Sequence, residues 1–343
     1  MQKLRIGVIG AGGIAKKRTI PGILKSEHAT VTALMGPHED TLERVAKEIL
    51  SAGGPSVKLY TDAEALVSSP DVDAVYIASP VYAHLEQARL CAKYHKHVLL
   101  EKPLGLSVEE AEEMVRLCRK AGLHASTAFM MRFGTIHQQL KQLIEDGRFG
   151  TIISARAQQV FWYPEDPKAW RQFKALGGGG ALMDVSVHNI DLIEYLVGSK
   201  TAQITGFTET RTFSYDSDDT SHVLIRLANG TVAYIDGSFS EHTPLKGSLL
   251  EIYGTKGTVI VRGSIGQADA GEAEGYLVTE NGREPLDLKT DFTDLYTKEV
   301  ESFALSVLKD EPEEVPIEQG LWIQKVSRAA YRAQEEERVI TVE

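Results

Sequence analysis

The chain has 343 residues, too many for one ordinary domain, so two domains are the starting expectation. Hydrophobic residues make up 43% and charged residues 25%, a globular composition that excludes a disordered chain. A formal net charge of −11 with no long basic stripe argues against nucleic acid, whose phosphates demand a concentrated positive face.

A first apolar run over 4–9 predicts a strand and opens directly onto Gly10-Ala11-Gly12-Gly13-Ile14-Ala15. That segment fits G-x-G-x-x-G/A. Gly10 permits a tight turn, Gly12 lets the backbone approach a pyrophosphate, and Ala15 is small enough for close helix–strand packing. Gly13 and Ile14 belong to the same turn and lead into a helix over 14–25, whose free amides and dipole favour an anion. A glycine turn is common on its own; its place after the first strand of a β–α–β unit points to a dinucleotide. Lys16-Lys17-Arg18 within this helix reads as a solvated face. The second strand, 30–35, ends at Gly36-Pro37-His38, and Gly36 takes the place of the usual ribose-binding acid. Glu39 or Asp40 can substitute for that acid or simply open the next helix, and His38 can touch either cofactor. No arginine follows to bind the extra phosphate of NADP, so NAD and NADP both stay open, with a lean to NAD.

Strands over 57–60, 74–78, 97–100 and 123–128 alternate with helices over 39–50, 63–67, 83–94 and 108–121, as in a doubly wound parallel sheet. The last helix begins with the capping box Ser107-Val108-Glu109-Glu110, and Gly122 stands where a left-handed terminator belongs. Cys91 and Cys118 lie singly in two of these helices, outside any metal or redox spacing; buried reduced thiols are expected, and no metal. Strand 97–100 runs into Glu101-Lys102-Pro103, at the sheet edge where ligands sit in open α/β folds. Lys102 there can hold a substrate hydroxyl and, desolvated beside a cationic nicotinamide, approach general-base range; equally it can be an exposed strand-end lysine.

After about residue 127 the pattern changes. A helix over 136–146 stops at Gly147, a strand follows over 152–158, and an aromatic, Pro-containing loop leads to the run Gly177–Gly180. The helix 181–197, stopped by Gly198, carries Asp184, His188 and Asp191, and the glycine run is expected to leave its N-terminus approachable. Asp184 and His188 stand four apart and share a face. That spacing delivers an acid/base imidazole and an orienting carboxylate to one cavity, or merely stabilises the helix by a few tenths of a kcal/mol. From 201 to about 262 strands and turns prevail, with Asn229-Gly230 a hairpin turn between 223–227 and 232–236. A helix over 321–334 and a strand over 339–342 close the chain. The expected fold is α/β: a dinucleotide-binding Rossmann domain over 1–126, a doubly wound parallel sheet, and an α+β substrate-binding and oligomerisation domain over 127–343 with a large, mainly antiparallel open sheet. No apolar stretch approaches the about 20 residues of a membrane span, so no membrane is expected, and the cytoplasm is the expected compartment.

Gly10–Ala15, Ser79-Pro80 followed by His84, Glu101-Lys102-Pro103 and the Gly-Gly-Gly-Ala-Leu-Met-Asp184…His188…Ile-Asp191 block occur here in one order. The set resembles the Gfo/Idh/MocA family, which includes glucose-fructose oxidoreductase and inositol dehydrogenase. Met131-Arg132-Phe133, Trp170-Arg171, Ile252-Tyr253-Gly254-Thr255-Lys256-Gly257 and the terminal helix extend the likeness over essentially the whole chain. The resemblance implies a catalytic set of Lys102, Asp184 and His188, with His188 as proton acceptor and Lys102 on the reacting oxygen. It also implies cofactor contacts from Ser79, Pro80, His84, Glu101 and Arg132, with Trp170 and Arg171 near nicotinamide or substrate. Packing for Trp170 and a domain-bridging salt link for Arg132 are the plainer alternatives. His95, His97, Val185 and Val187 depart from common members and bear on substrate choice. The implied activity is NAD(P)-dependent hydride transfer on a sugar or cyclic polyol by a homodimer or homotetramer; a non-catalytic dinucleotide-dependent regulator and an NAD-using glycoside hydrolase are the rivals.

Overall fold

The computed structural model describes residues 3–243 and 247–343. The chain forms two compact units, one of residues 1–129 with 294–321, the other of 130–293 with 322–343. The first break falls three residues beyond the expected one at 126. The larger difference is the segment 294–321, assigned above to the second domain but packed here with the first. The reason is a helix, Leu295–Lys309, whose Val300, Phe303 and Ala304 lie in one apolar cluster with Val8, Val31 and Tyr76 of the first sheet.

In the first unit β1 (Leu4–Ile9), β2 (Ala29–Met35), β3 (Lys58–Tyr60), β4 (Ala74–Ile77), β5 (His97–Leu100) and β6 (Ala125–Thr127) make one parallel sheet in the order β3-β2-β1-β4-β5-β6. The strands are near-continuous apolar runs because helices cover both faces. The order reverses between β1 and β4, which opens a crevice at their carboxyl ends. Ser107 caps the helix Val108–Lys120 by accepting the Glu110 N–H at 3.2 Å, and Glu110 reaches back to the Leu106 N–H at 2.8 Å. Cys91 and Cys118 are free and fully buried; burial pushes the Cys118 thiol up to about 12 and that of Cys91 higher, so neither is a ready nucleophile.

The second unit is built on a nine-stranded sheet: β7 (Ile152–Val160), β8 (Thr201–Glu209), β9 (Thr220–Leu227), β10 (Val232–Ser238), β11 (Leu249–Gly254), β12 (Gly257–Arg262), β13 (Glu272–Thr279), β14 (Gly282–Pro285) and β15 (Ile340–Thr341). Its order is β14-β13-β12-β11-β7-β10-β9-β8-β15, antiparallel throughout except where β7 and β10 run parallel. The hairpin turn at Asn229-Gly230 joins β9 to β10 as expected, with Gly230 at φ 93°. On β9, Val223, Ile225 and Leu227 are buried, while Leu224 and Arg226 on the opposite face are exposed. The strands β13 and β14 and the helix Leu295–Lys309 extend regular structure well past Arg262. Among the described residues no helix is long and apolar enough to cross a membrane.

Candidate functional site

At the end of β1 the chain turns sharply: the Gly10 and Ala11 amides both donate to the Met35 carbonyl, at 2.9 and 3.1 Å. Gly10 has φ +79°, and a Cβ there would lie 2.6 Å from the Ser79 nitrogen, so this position tolerates no side chain. Two residues on, the situation inverts. A Cβ at Gly12 or Gly13 would meet nothing within 4 Å beyond its chain neighbours, so the turn borders open space at the reversal point of the sheet. Ala15 is fully buried, as close packing requires. These are the features a pyrophosphate cradle needs, and the residues fit a dinucleotide. The expected helix over 14–25 is not uniform: Ala15–Thr19 winds as a π-turn and Ile20–Lys25 as α-helix. Gly36 donates its N–H to the Tyr60 carbonyl at 3.2 Å, and His38 stands exposed at the start of the helix Glu39–Ser51.

Ser79 and Pro80 follow β4, and the Ser79 hydroxyl donates to Gln87 Oε1 at 2.6 Å. His84, expected to touch a cofactor, is 1% exposed, with Nε2 2.9 Å from the Ser79 carbonyl and Nδ1 3.0 Å from the Leu104 carbonyl. Both ring nitrogens are thus engaged by backbone, and the ring braces the Ser79 loop against the loop after Lys102. Burial lowers its pKa against those two acceptors. Glu101 accepts the Tyr76 O–H at 2.6 Å, and Tyr76 in turn accepts from Thr19 at 2.9 Å. Beneath them lies a group missed in the sequence. Glu299 is 2% exposed with no partner for either carboxylate oxygen, and burial, then the charges of Glu101 and Asp294, hold its carboxyl well above the ordinary range. Lys102 follows Glu101 at the carboxyl end of β5.

In the second unit Asp184 lies on a π-turn, Leu182–Ser186, and His188 is the second residue of the helix Val187–Val197 that continues it. Among the described residues these two π-turns, Ala15–Thr19 and Leu182–Ser186, are the only ones, and each begins a segment singled out above. Such insertions recur at functional sites, and the wider winding still leaves positions four apart close in azimuth. Arg171 Nε donates to Asp184 Oδ1 at 3.1 Å, and the same guanidinium lies 4.2 Å from the Trp170 ring centre. Trp170, Arg171 and Asp184 therefore form one group, and His188, 7% exposed, comes one turn later. Asp191 lies further along the same helix. It takes a buried bidentate bond from Arg132, at 2.8 and 2.6 Å, so this ion pair of Arg132 lies within one unit and fixes the helix instead of bridging domains. The helix N-terminus is not open either. The amides of Gly180, Ala181 and Leu182 all end on Asp218, whose carboxylate and carbonyl lie 2.7–2.9 Å away, so no anion is admitted there. The glycines of the run make room for that contact.

Residues 4–129 match the model of an oxidoreductase family with an NAD-binding Rossmann fold, and residues 137–260 match that of the GFO/IDH/MocA C-terminal domain. The chain is similar to 1,5-anhydro-D-fructose reductase of Ensifer adhaerens, 28% identical over 331 residues that cover 96% of each chain. It is likewise 28% identical to myo-inositol 2-dehydrogenase of Thermotoga maritima, over 99% of each. Levoglucosan dehydrogenase in complex with NADH shares the fold, with TM-score 0.87 at 22% identity over 100% of both chains. The chain belongs to the GFO/IDH/MocA family of NAD-binding oxidoreductases, with sugar and polyol dehydrogenases and reductases among its relatives.

Proposed function

We propose that the protein catalyses reversible hydride transfer between NAD(P) and a secondary alcohol or ketone of a sugar or cyclic polyol. The observation that carries this reading is the polar set at the start of one buried helix: Asp184, held by Arg171 beside Trp170, with His188 one turn on. A nicotinamide, when bound, supplies or accepts the hydride; the protein positions the carbon and manages the proton. In the oxidative direction His188 takes the proton of the reacting hydroxyl. Lys102 donates a hydrogen bond to the same oxygen and stabilises the negative charge that develops there. Asp184, its orientation fixed by Arg171, accepts from a neighbouring substrate hydroxyl. Gly10, Gly12, Gly13, Ile14 and Ala15 hold the pyrophosphate at the start of the first helix, Gly36 and His38 border the adenosine ribose, and Ser79, Pro80 and Glu101 line the nicotinamide side. Polyhydroxylated substrates suit this set because each charged or hydrogen-bonding group has a hydroxyl to meet, and the relatives of nearly equal length act on such compounds by name.

The test is turnover with 1,5-anhydro-D-fructose, myo-inositol and levoglucosan, followed by absorbance of reduced nicotinamide. On the best substrate Lys102→Ala and His188→Ala each lose about 10²–10⁴-fold in kcat. The double variant loses less than the product of the two, because residues acting as a unit are not additive. Wild-type rates in both single variants would overturn the assignment, and turnover without net change in nicotinamide would point to transient oxidation during hydrolysis.

A further inference from the structure

The head of the helix that carries Asp184 and His188 is held by a single residue just before β9. Asp218 Oδ1 accepts the Gly180 N–H at 2.9 Å, its Oδ2 accepts the Leu182 N–H at 2.7 Å, and its carbonyl accepts the Ala181 N–H at 2.8 Å. Oδ1 also accepts the Tyr331 O–H at 2.6 Å, from the helix Ile317–Glu335. The local sequence is shaped around this contact. A Cβ at Gly180 would fall 1.8 Å from the Asp218 carbonyl oxygen, and one at Gly179 would fall 2.2 Å from the Tyr331 hydroxyl. Two of the four glycines in the run are therefore glycine because Asp218 and Tyr331 occupy the space. Next along the chain, Asp219 pins the preceding loop through the amides of Arg211, Thr212 and Phe213, at 2.8–3.0 Å. Neither aspartate thus has freedom to swing away.

The clamp connects directly to the reacting set. Asp184 donates its own amide to the Gly180 carbonyl at 2.9 Å, so the residue gripped by Asp218 is one turn before Asp184. Asp218 is 8% exposed. Burial pushes its carboxyl up, and the Leu182, Tyr331 and Gly180 donors oppose that push. A buried carboxylate with three donors is a stiff anchor, since each hydrogen bond to a charge is worth more than a neutral one.

We propose that Asp218, backed by Tyr331, is a positioning residue for catalysis, setting the register of the widened turn Leu182–Ser186 so that Asp184 and His188 are presented at a fixed depth. This rests on the assignment of Asp184 and His188 to the chemistry. Small displacements matter at such a set, because a misplacement near 1 Å can cost about 10²-fold in rate.

Tyr331→Phe removes one donor and leaves the ring volume, and Asp218→Asn replaces one of the two accepting oxygens by a donor that faces an amide N–H. Both are measured in the full-length chain after their melting profiles are shown to be cooperative. Tyr331→Phe should lower kcat about 5–20-fold with little change in the affinity for NADH, and Asp218→Asn should lower it further. In a His188→Ala background the same Tyr331→Phe change should cost less than about twofold, because the turn then has no proton acceptor left to position. Hydrogen–deuterium exchange, which needs no substrate, should be faster at the amides of residues 180–188 in Tyr331→Phe than in the wild type. An equal cost of Tyr331→Phe with and without His188, or unchanged exchange over 180–188, overturns the proposal. Wild-type activity in His188→Ala would instead sink the catalytic assignment, and the exchange result would still decide whether the Asp218–Tyr331 pair holds the turn.

Discussion

Gly10 and Gly12 are two residues apart in one turn, yet the structure assigns them opposite sensitivities, and the contrast separates a ligand cradle from a turn that merely needs glycine. At Gly12 a Cβ would meet nothing within 4 Å beyond its chain neighbours, and its φ lies outside the left-handed range, so Gly12→Val should fold with a melting temperature close to wild type. Its branched side chain would occupy the space a pyrophosphate needs, displacing the phosphates from the amides at the helix start. Loss of one or two hydrogen bonds to a charged group, at about 1.5–3 kcal/mol each, gives a total near 3 kcal/mol. That corresponds to a Kd about 100-fold weaker. At Gly10 an alanine carries φ +79° with its Cβ 2.6 Å from the Ser79 nitrogen. The conformational penalty alone is about 1–2 kcal/mol. With the overlap added, Gly10→Ala should melt at least about 4 °C lower, taking roughly 2–4 °C per kcal/mol for a unit of this size. Calorimetric titration with NAD, NADH, NADP and NADPH, beside thermal melts of the same samples, measures both effects. If Gly12→Val binds all four as the wild type does, or the wild type binds none, the cradle is misplaced.

Three further outcomes are expected. The folded chain keeps a proton on Glu299 that the unfolded chain releases above its ordinary value of 4.5, so stability drains away as pH rises from there toward the raised folded value. Glu299→Gln should therefore melt higher than wild type, by a margin that widens as the pH rises above 4.5; a constant margin or none would show the group is not held protonated. Cofactor discrimination should be weak and lean to NAD, since Gly36 follows β2 and Glu39 and Asp40 are exposed beside it; a preference for NADP of about 100-fold, or about 2.7 kcal/mol, would contradict this. The open face of the second sheet leaves Phe207 67%, Leu224 45% and Tyr253 38% exposed, and we expect it to be covered in a homodimer or homotetramer. Light scattering at micromolar concentration would refute that with a monomeric mass.

Much of the first unit was legible because each element carries its own punctuation. The bounds of β1, β5 and the helix Ala63–Val67 fall where the apolar runs and their flanking glycines or caps put them. The helix Leu295–Lys309 was readable by the same signals but passed over: apolar residues recur at 295, 296, 300, 303, 304 and 307, and Asp294 caps it by accepting the Thr297 N–H at 3.0 Å. Its membership of the first unit was not readable, since nothing local in Val300 or Phe303 says which apolar cluster will receive them. The two π-turns are invisible for a different reason. A single widened turn changes no residue type and shifts the hydrophobic period too little to register against a 3.6-residue repeat.

The site shows the same divide at finer scale. Spacing placed Asp184 and His188 on one helix and Lys102 at a strand end, but only the family resemblance implied that they form a catalytic set. The residues that hold them could not be picked out. Asp218 stands 34 residues from Asp184 in a stretch of Ser, Asp and Thr that reads as a surface turn, and Tyr331 lies in a helix that reads as amphipathic. Glu299 looks like any helix glutamate, a type almost never buried without a partner. What distinguishes all three is the partner they meet or lack. A glycine run can mean an open helix N-terminus or a closed one, according to what fills the space its missing side chains leave. Here a carboxylate and a phenol fill it at Gly180 and Gly179, whereas a Cβ at Gly12 would meet open space, and it is at Gly12 that we propose the pyrophosphate binds. The two glycine motifs therefore do different work. One leaves room for a ligand, the other for the chain's own Asp218, and only the first should lose affinity for NADH when a side chain is added.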